Sequence, residues 1–294
     1  MRVLVTGSSG FIGTRVCQLL TRSGHDVTGL DRRPARGSLN SVIGDVLDAQ
    51  SVSSIMRSVE AVVHLAAIVS VVECEGDPAR ARAVNVDGAV TVMRAALDSG
   101  VTRVLFASSA AVYGPRSGEV SEQDPCTPAG IYGTTKLEAE TRLRSMASNA
   151  PGLLGIVRPF NVYGCGQPYR GVASSLVAAI GHAISTGEPL IIRGDGSQRR
   201  DFVHVDDVAR VIVGCVLGDA GRPSVLNIGT GVARSVNDVI EIAQAVTGRR
   251  IARRHVERPA NDIDESVADI ELLRSVDVDY APIDLRAGLV EALS

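Results

Sequence analysis

The sequence predicts an α/β protein: a doubly wound parallel sheet with a smaller lobe built over its C-terminal edge. Three observations carry that expectation. Apolar strand-like runs alternate with helix-like segments from residue 2 to about residue 157. A glycine-rich turn follows the first run, and an acid closes the second. Strands that are apolar on both faces suit a parallel sheet covered by helices on both sides.

Residues 2–6 read as a buried strand, followed by the turn Thr6-Gly7-Ser8-Ser9-Gly10-Phe11-Ile12-Gly13. An amphipathic helix comes next, with Val16, Leu19 and Leu20 on its apolar side and Gly24 to end it. A second strand, 26–30, ends in Asp31. Strand, glycine turn, helix, strand and acid make the βαβ plan of a dinucleotide site. The spacing is G-x-x-G-x-x-G, not G-x-G-x-x-G. The glycines still supply a tight turn, bare backbone for a pyrophosphate and close helix–strand packing, and the helix start offers free N–H groups to phosphate. Asp31 is placed to bind adenosine ribose hydroxyls, which favours NAD, whereas Arg32 and Arg33 can instead accept a 2′-phosphate.

The alternation continues with a strand at 61–67, a helix over about 78–99 and a strand at 104–109. After a loop rich in Pro and Gly (114–130) comes a helix holding Tyr132 and Lys136, then a strand at 153–157. These elements predict a Rossmann-type domain over 1–160, rejoined by about 199–218. Loops at 164–171, 187–196 and 218–224 separate shorter elements, including helices at 172–185 and 206–217, so 161–294 reads as the smaller lobe. Ligands of open α/β sheets bind at that sheet edge.

At 294 residues, 45% hydrophobic and 21% charged, the composition is that of an ordinary globular protein. A net charge of −3 gives no electrostatic footprint for nucleic acid, and the basic pairs Arg249-Arg250 and Arg253-Arg254 read as a solvated face. The five cysteines are scattered without a CxxC pair, which suits free thiols in a reducing compartment. No window approaches the ~18 apolar residues of a membrane span, and Met1 leads straight into a strand with no signal peptide. A cytoplasmic protein is expected. His64 reads as a strand-end residue near a cofactor, and no metal site is expected.

Tyr132 and Lys136 lie four apart, so on a helix their side chains share a face. A phenol ordinarily ionises near pH ~10, and a nearby cation favours the phenolate, making Tyr132 a candidate general base. Alone, the pair is a weak signal.

The chain as a whole resembles the extended short-chain dehydrogenase/reductase family, in its NAD-dependent sugar epimerase/dehydratase branch. The resemblance rests on TGSSGFIG (6–13), Asp31, Gly44-Asp45-Val46, HLAA (64–67), SSAAVYG (108–114), YGTTK (132–136) and RPFNVYG (158–164). It extends through GDGSQRRDFVHVDD (194–207), LNIGTG (226–231) and ERP (257–259). It implies a cofactor site of Gly7, Gly10, Phe11, Ile12, Gly13, Asp31, Asp45, Val46, Leu65, Ala66 and Ala67, with Tyr132 and Lys136. Ser109 matches the hydroxyl that holds the sugar O4, Tyr132 the base, and Lys136 the residue that lowers its pKa. Asn161, Arg200 and Arg258 match groups that hold the substrate diphosphate, where planar guanidinium suits phosphate oxygens.

The resemblance also narrows the reaction. Relatives that dehydrate or decarboxylate carry proton-transferring side chains after the active-site hydroxyl, whereas here stand Ala110 and Ala111. A 4-epimerase is expected, first on UDP-glucose and UDP-galactose. UDP-glucuronate, N-acetylated UDP-hexoses and dTDP-sugars stay open, although Glu73, if it faced the pocket, would repel a glucuronate carboxylate. An NADPH-dependent 4-keto-sugar reductase is the alternative enzyme, and a nucleotide-sensing or scaffold protein the non-enzyme alternative. The family pairing of helices implies a homodimer, but Val84, Val92, Leu137, Leu143 and Met146 are explained equally well by core packing. Cys165 reads as a packed loop thiol.

Overall fold

The computed structural model describes residues 1–35, 39–171, 174–218, 223–258, 263–276 and 280–294. Apolar runs buried on both faces form the centre of the large sheet. β1 (Arg2–Thr6) leads through the glycine turn into α1 (Phe11–Arg22), then β2 (Asp26–Asp31) and β3 (Asn40–Ile43). α2 (Ala49–Met56) starts on Asp48, whose carboxylate accepts from the amides of Gln50 and Ser51. β4 (Ala61–His64) is buried throughout. β3 and α2, which carry no distinctive sequence pattern, complete this half.

The helix expected over 78–99 is three pieces. After α3 (Val71–Gly76) come α4 (Pro78–Arg82), a π-turn over Ala83–Asp87 and α5 (Gly88–Asp98). The widened turn turns Asn85 inward. Its side chain accepts from Ile68 N at 2.8 Å and donates to Ile68 O at 3.0 Å and to Thr135 Oγ1 at 3.1 Å. The loop after β4 is thereby tied to the helix of Tyr132. β5 (Arg103–Ala107), a 3₁₀ turn over Ala110–Tyr113, β6 (Glu119–Val120), α6 (Ile131–Met146), β7 (Leu154–Pro159) and β8 (Asn161–Tyr163) come next.

Beyond these lie α7 (Leu176–Thr186), β9 (Leu190–Arg193), β10 (Arg199–His204), α8 (Val205–Leu217) and β11 (Val225–Ile228). β12 (Ala233–Ser235), α9 (Val236–Thr247), β13 (Arg253–Val256), β14 (Glu265–Ala268), α10 (Glu271–Ser275) and α11 (Leu285–Leu293) complete the chain. α7 starts later than the expected 172, and 172–173 lie outside the described residues, as do 219–222 of the loop expected at 218–224 and Pro259 of the ERP motif.

The large sheet has seven parallel strands in the order β11-β7-β5-β4-β1-β2-β3. Of the expected return over 199–218, α8 packs on this sheet, β10 does not join it, and β11 is added beyond it. β10 sits in a second, five-stranded sheet, α8 covers the large sheet beside α1, and β11 pairs with β7. Asn227 explains why β11 docks there: its amide donates to Val120 O and its carbonyl accepts from the Tyr113 hydroxyl at 2.7 Å. Apolar clusters fill both faces of the large sheet, one through Val16, Leu20, Val208 and Ile212 and the other through Met56, Val92, Met93 and Leu143. A third, around Ile180, Ile192, Ile240 and Leu289, supports the smaller lobe. No helix among the described residues is long and apolar enough to cross a membrane.

Candidate active site

The strand order reverses its direction of growth between β1 and β4, and the two glycine-dependent features of the turn meet there. Gly7 has φ +71°, and a Cβ on it would lie 2.8 Å from Ala66 N and from Leu65 C. A Cβ on Gly13 would lie 2.1 Å from Gly7 O. The bare backbone thus packs the turn directly onto loop 65–67 and onto itself, a glycine cradle that no side chain at these positions would permit. α1 begins on Gly10, which has no side chain to cap it, so the first-turn amides around Phe11 and Ile12 are left suited to an anion.

Asp31, at the end of β2, accepts from Ser9 N at 3.1 Å and Arg33 N at 3.0 Å. The Arg33 guanidinium lies 3.7 Å from the same carboxylate. The pair disfavours a 2′-phosphate: the carboxylate repels it, and Arg33 is already drawn to Asp31. Asp45 follows β3, with one oxygen accepting from Leu47 N, and Val46 is packed beneath the sheet against Gly88. These residues fit a dinucleotide lacking a 2′-phosphate.

Ser109, Tyr132 and Lys136 come together where β5 ends and α6 begins. Ser109 caps the 3₁₀ turn by accepting from Ala111 N at 3.2 Å. Its hydroxyl also lies near the half-buried Tyr132 phenol and favours the phenolate. Gly133 permits this closeness, since a Cβ there would lie 2.5 Å from Ala111 O. Ala110 and Ala111 stand beside Ser109, and Ala111 is exposed.

The electrostatics of the Tyr–Lys pair differ from the simple expectation that the lysine lowers the phenol. Burial pushes Tyr132 up to about 12, and the nearby Ser109 hydroxyl is what opposes it. Burial also brings Lys136 down to about 8, against the pull of Glu140. Lys136 Nζ donates to Ala107 O at 2.8 Å and sits 5.0 Å from the Phe106 ring centroid, so its charge is directed at the end of β5.

The substrate-side candidates are distributed over the smaller lobe. Asn161 and Arg200 lie on adjacent strands of the second sheet, with Asn161 Nδ2 donating to Asp201 O at 3.0 Å. Arg258 follows β13, packs on Gly194 and pairs with Asp264 at 2.7 Å. Glu73 does not carry the repulsion considered for it, because Arg80 lies 3.4 Å away on the surface. Cys165 is exposed, not packed: it stands between Gly164 and Gly166, both at positive φ, which turn the loop outward.

Two supporting groups escape a reading of the sequence. Arg158 holds Glu140 through two bonds, 2.9 and 2.6 Å, and donates to the Tyr113 hydroxyl, which fixes α6 against β7 and the Ser109 turn. Fully buried Asp201 accepts from Thr230 N, Gly231 N and Ala268 N, joining β10 to the loop after β11 and to β14. Their only signal is position within RPF and RDF. Among the described residues, His204, Asp206 and Glu291 bring metal-capable atoms within 4.8 Å of one another. Arg15 lies 3.2 Å from Asp206 and 3.6 Å from Glu291, so a guanidinium already supplies positive charge between those carboxylates.

A doubly wound sheet with a glycine cradle at its switch point, an acid ending β2 and a Ser–Tyr–Lys constellation at the same edge defines a nicotinamide-dependent enzyme of the short-chain type. The pattern described as the NAD dependent epimerase/dehydratase family matches residues 3–229, and the chain belongs to that family. A UDP-glucose 4-epimerase of Mycolicibacterium smegmatis is 37% identical over 254 residues, covering 81% of this chain and 80% of that protein. Among solved structures, MoeE5 in complex with UDP-glucuronic acid and NAD is 36% identical with a TM-score of 0.91, covering 100% of this chain and 98% of its own. The Thermotoga maritima UDP-glucose 4-epimerase with UDP-glucose is 29% identical at the same TM-score, covering 100% and 97%.

Proposed function

We propose that the chain is an NAD-dependent nucleotide-sugar 4-epimerase acting on UDP-glucose and UDP-galactose. The observation that carries this reading is the gathering of Ser109 and Tyr132 at the start of α6, with Lys136 one turn along and two alanines that move no proton beside them. NAD, when bound in the glycine cradle, supplies the acceptor and donor of the hydride at C4. Tyr132 as phenolate removes the proton of the C4 hydroxyl, and Ser109 orients that hydroxyl. Burial opposes the phenolate, and the nearby Ser109 hydroxyl is the chain's own means of favouring it. Asn161, Arg200 and Arg258 anchor the nucleotide diphosphate while the sugar stays loosely held, so that either face of C4 can be presented.

A second reading, UDP-glucuronate as substrate, is favoured by Arg80 neutralising Glu73 and by MoeE5 having been seen with that ligand. We expect a homodimer in the cytoplasm: the family resemblance supports the first, five free cysteines the second. Light scattering tests the dimer. The activity is tested by incubating purified protein separately with UDP-glucose, UDP-galactose and UDP-glucuronate, without added cofactor. Formation of a C4 epimer supports the proposal and identifies the sugar. No conversion even with added NAD rejects all three substrates.

A further inference from the structure

We infer that His64 is a positioning residue of the cofactor crevice, holding loop 65–67 through Thr6 and the seat of Lys136 through Phe106. The inference rests on the NAD site and on the Tyr132–Lys136 assignment above. His64 ends β4 and pairs in register with Thr6 of β1 and Phe106 of β5, so it stands where the sheet order turns. Its Nδ1 lies 2.7 Å from Thr6 Oγ1, and Ala66 N donates to that same oxygen at 3.3 Å. We assign the Thr6 hydroxyl as the donor to Nδ1, which makes the ring the neutral Nε2–H tautomer, with Nε2 buried and without a hydrogen-bond partner among the described residues.

The other leg is aromatic. The His64 ring is 2% exposed and stacks on Phe106 with centroids 5.8 Å apart and 21° between planes. Phe106 carries the Lys136 ammonium on its face. Burial, with Lys136 nearby, holds the imidazole down to about 3, so two positive charges do not compete for this space at working pH. The titratable groups around Lys136 are Glu140 and Tyr132 on its own helix, Cys74 from α3 and His64 from β4.

Two substitutions separate the legs. His64→Asn keeps an oxygen near the place of Nδ1 for the Thr6 proton but removes the ring. His64→Phe keeps a ring but leaves Thr6 without its acceptor. His64→Phe should weaken NAD binding, measured calorimetrically, by about 5- to 10-fold and leave the alkaline limb of kcat in place. His64→Asn should keep the NAD Kd within about 2-fold, and the alkaline limb should move up by roughly half to one pH unit as water reaches Lys136. Thr6→Val should repeat the His64→Phe result and carries that arm if His64→Phe does not fold. In the wild-type protein, ¹⁵N spectra should show His64 as the Nε2–H tautomer down to about pH 5. Equal effects of both His64 variants on both readouts, lowered Tm with neither readout moved, or an Nδ1–H tautomer would overturn the inference. The NAD and tautomer measurements need no sugar, so failure of the epimerase reading is distinguishable from failure here.

Discussion

On the cofactor side the site is shaped by backbone: Gly7 and Gly13 pack so closely that no Cβ fits, and Asp31 stands at a strand end. On the substrate side it is held by side chains that reach across the chain, Asp201 to Ala268 over 67 positions and Asn227 to Tyr113 over 114. The first kind of construction needs only the absence of a Cβ and fails by steric exclusion. The second depends on buried polar groups finding distant partners, and fails by leaving those partners without one.

The largest expected effect concerns the chemistry that both sides serve. Tyr132→Phe removes one hydroxyl, touches neither construction, and should lower kcat by about 10³-fold. Its Tm and its NAD affinity should stay near those of the wild type. A variant that still interconverts epimers at close to the wild-type rate would remove Tyr132 from the mechanism and leave Ser109 as the group to examine.

The comparison itself is sharpened by one change on each side. Gly13→Ala puts a methyl group 2.1 Å from Gly7 O, so the turn must shift. NAD affinity should fall by about 100-fold or more, an effect of about 3 kcal/mol. Asp201→Ala leaves the amides of Thr230, Gly231 and Ala268 without their acceptor in a buried place. It should cost about 3 kcal/mol of stability, read by denaturant titration, while NAD affinity stays within a few-fold. If Gly13→Ala bound NAD normally, or Asp201→Ala lost NAD binding before stability, the division between the two constructions would be wrong.

That division also accounts for what a reader of the sequence can see. The glycine turn, Asp31 and the apolar strands declare themselves through spacing within about 30 residues, because periodicity and turn chemistry are local. The return of β11 to the large sheet is not legible, since it depends on Asn227 meeting Val120 and Tyr113. Nor is the π-turn that aims Asn85 at Ile68 and Thr135, because a run from 78 to 99 carries ordinary helical periodicity. The motif positions of Asn161, Arg200 and Arg258 are visible, but Arg258's engagement with Asp264 is a matter of loop placement. Cys165 shows the same limit: its neighbours' identities are plain, and only their positive φ values send it outward.

The smallest effect expected here tests whether the junction of the two β-strands at the cofactor side is dry, as its burial implies. His64 has its pKa depressed from 6.5 to about 3 by burial, so between those values the unfolded chain binds a proton that the folded chain does not. Stability from this group is complete above pH 6.5 and falls as pH drops toward 3, because there the unfolded state gains from protonation. Between pH 6.5 and 5 the loss should be about 2 kcal/mol. Carboxylates titrate in both proteins, so the difference between wild type and His64→Asn isolates the imidazole. Denaturant titrations at pH 7.5 and 5 should show wild type losing about 2 kcal/mol more than the variant. Equal losses would mean that water reaches His64 in the native state. The β1–β4 junction would then be a hydrated crevice, and the cofactor side would share the polar, side-chain-dependent character of the substrate side.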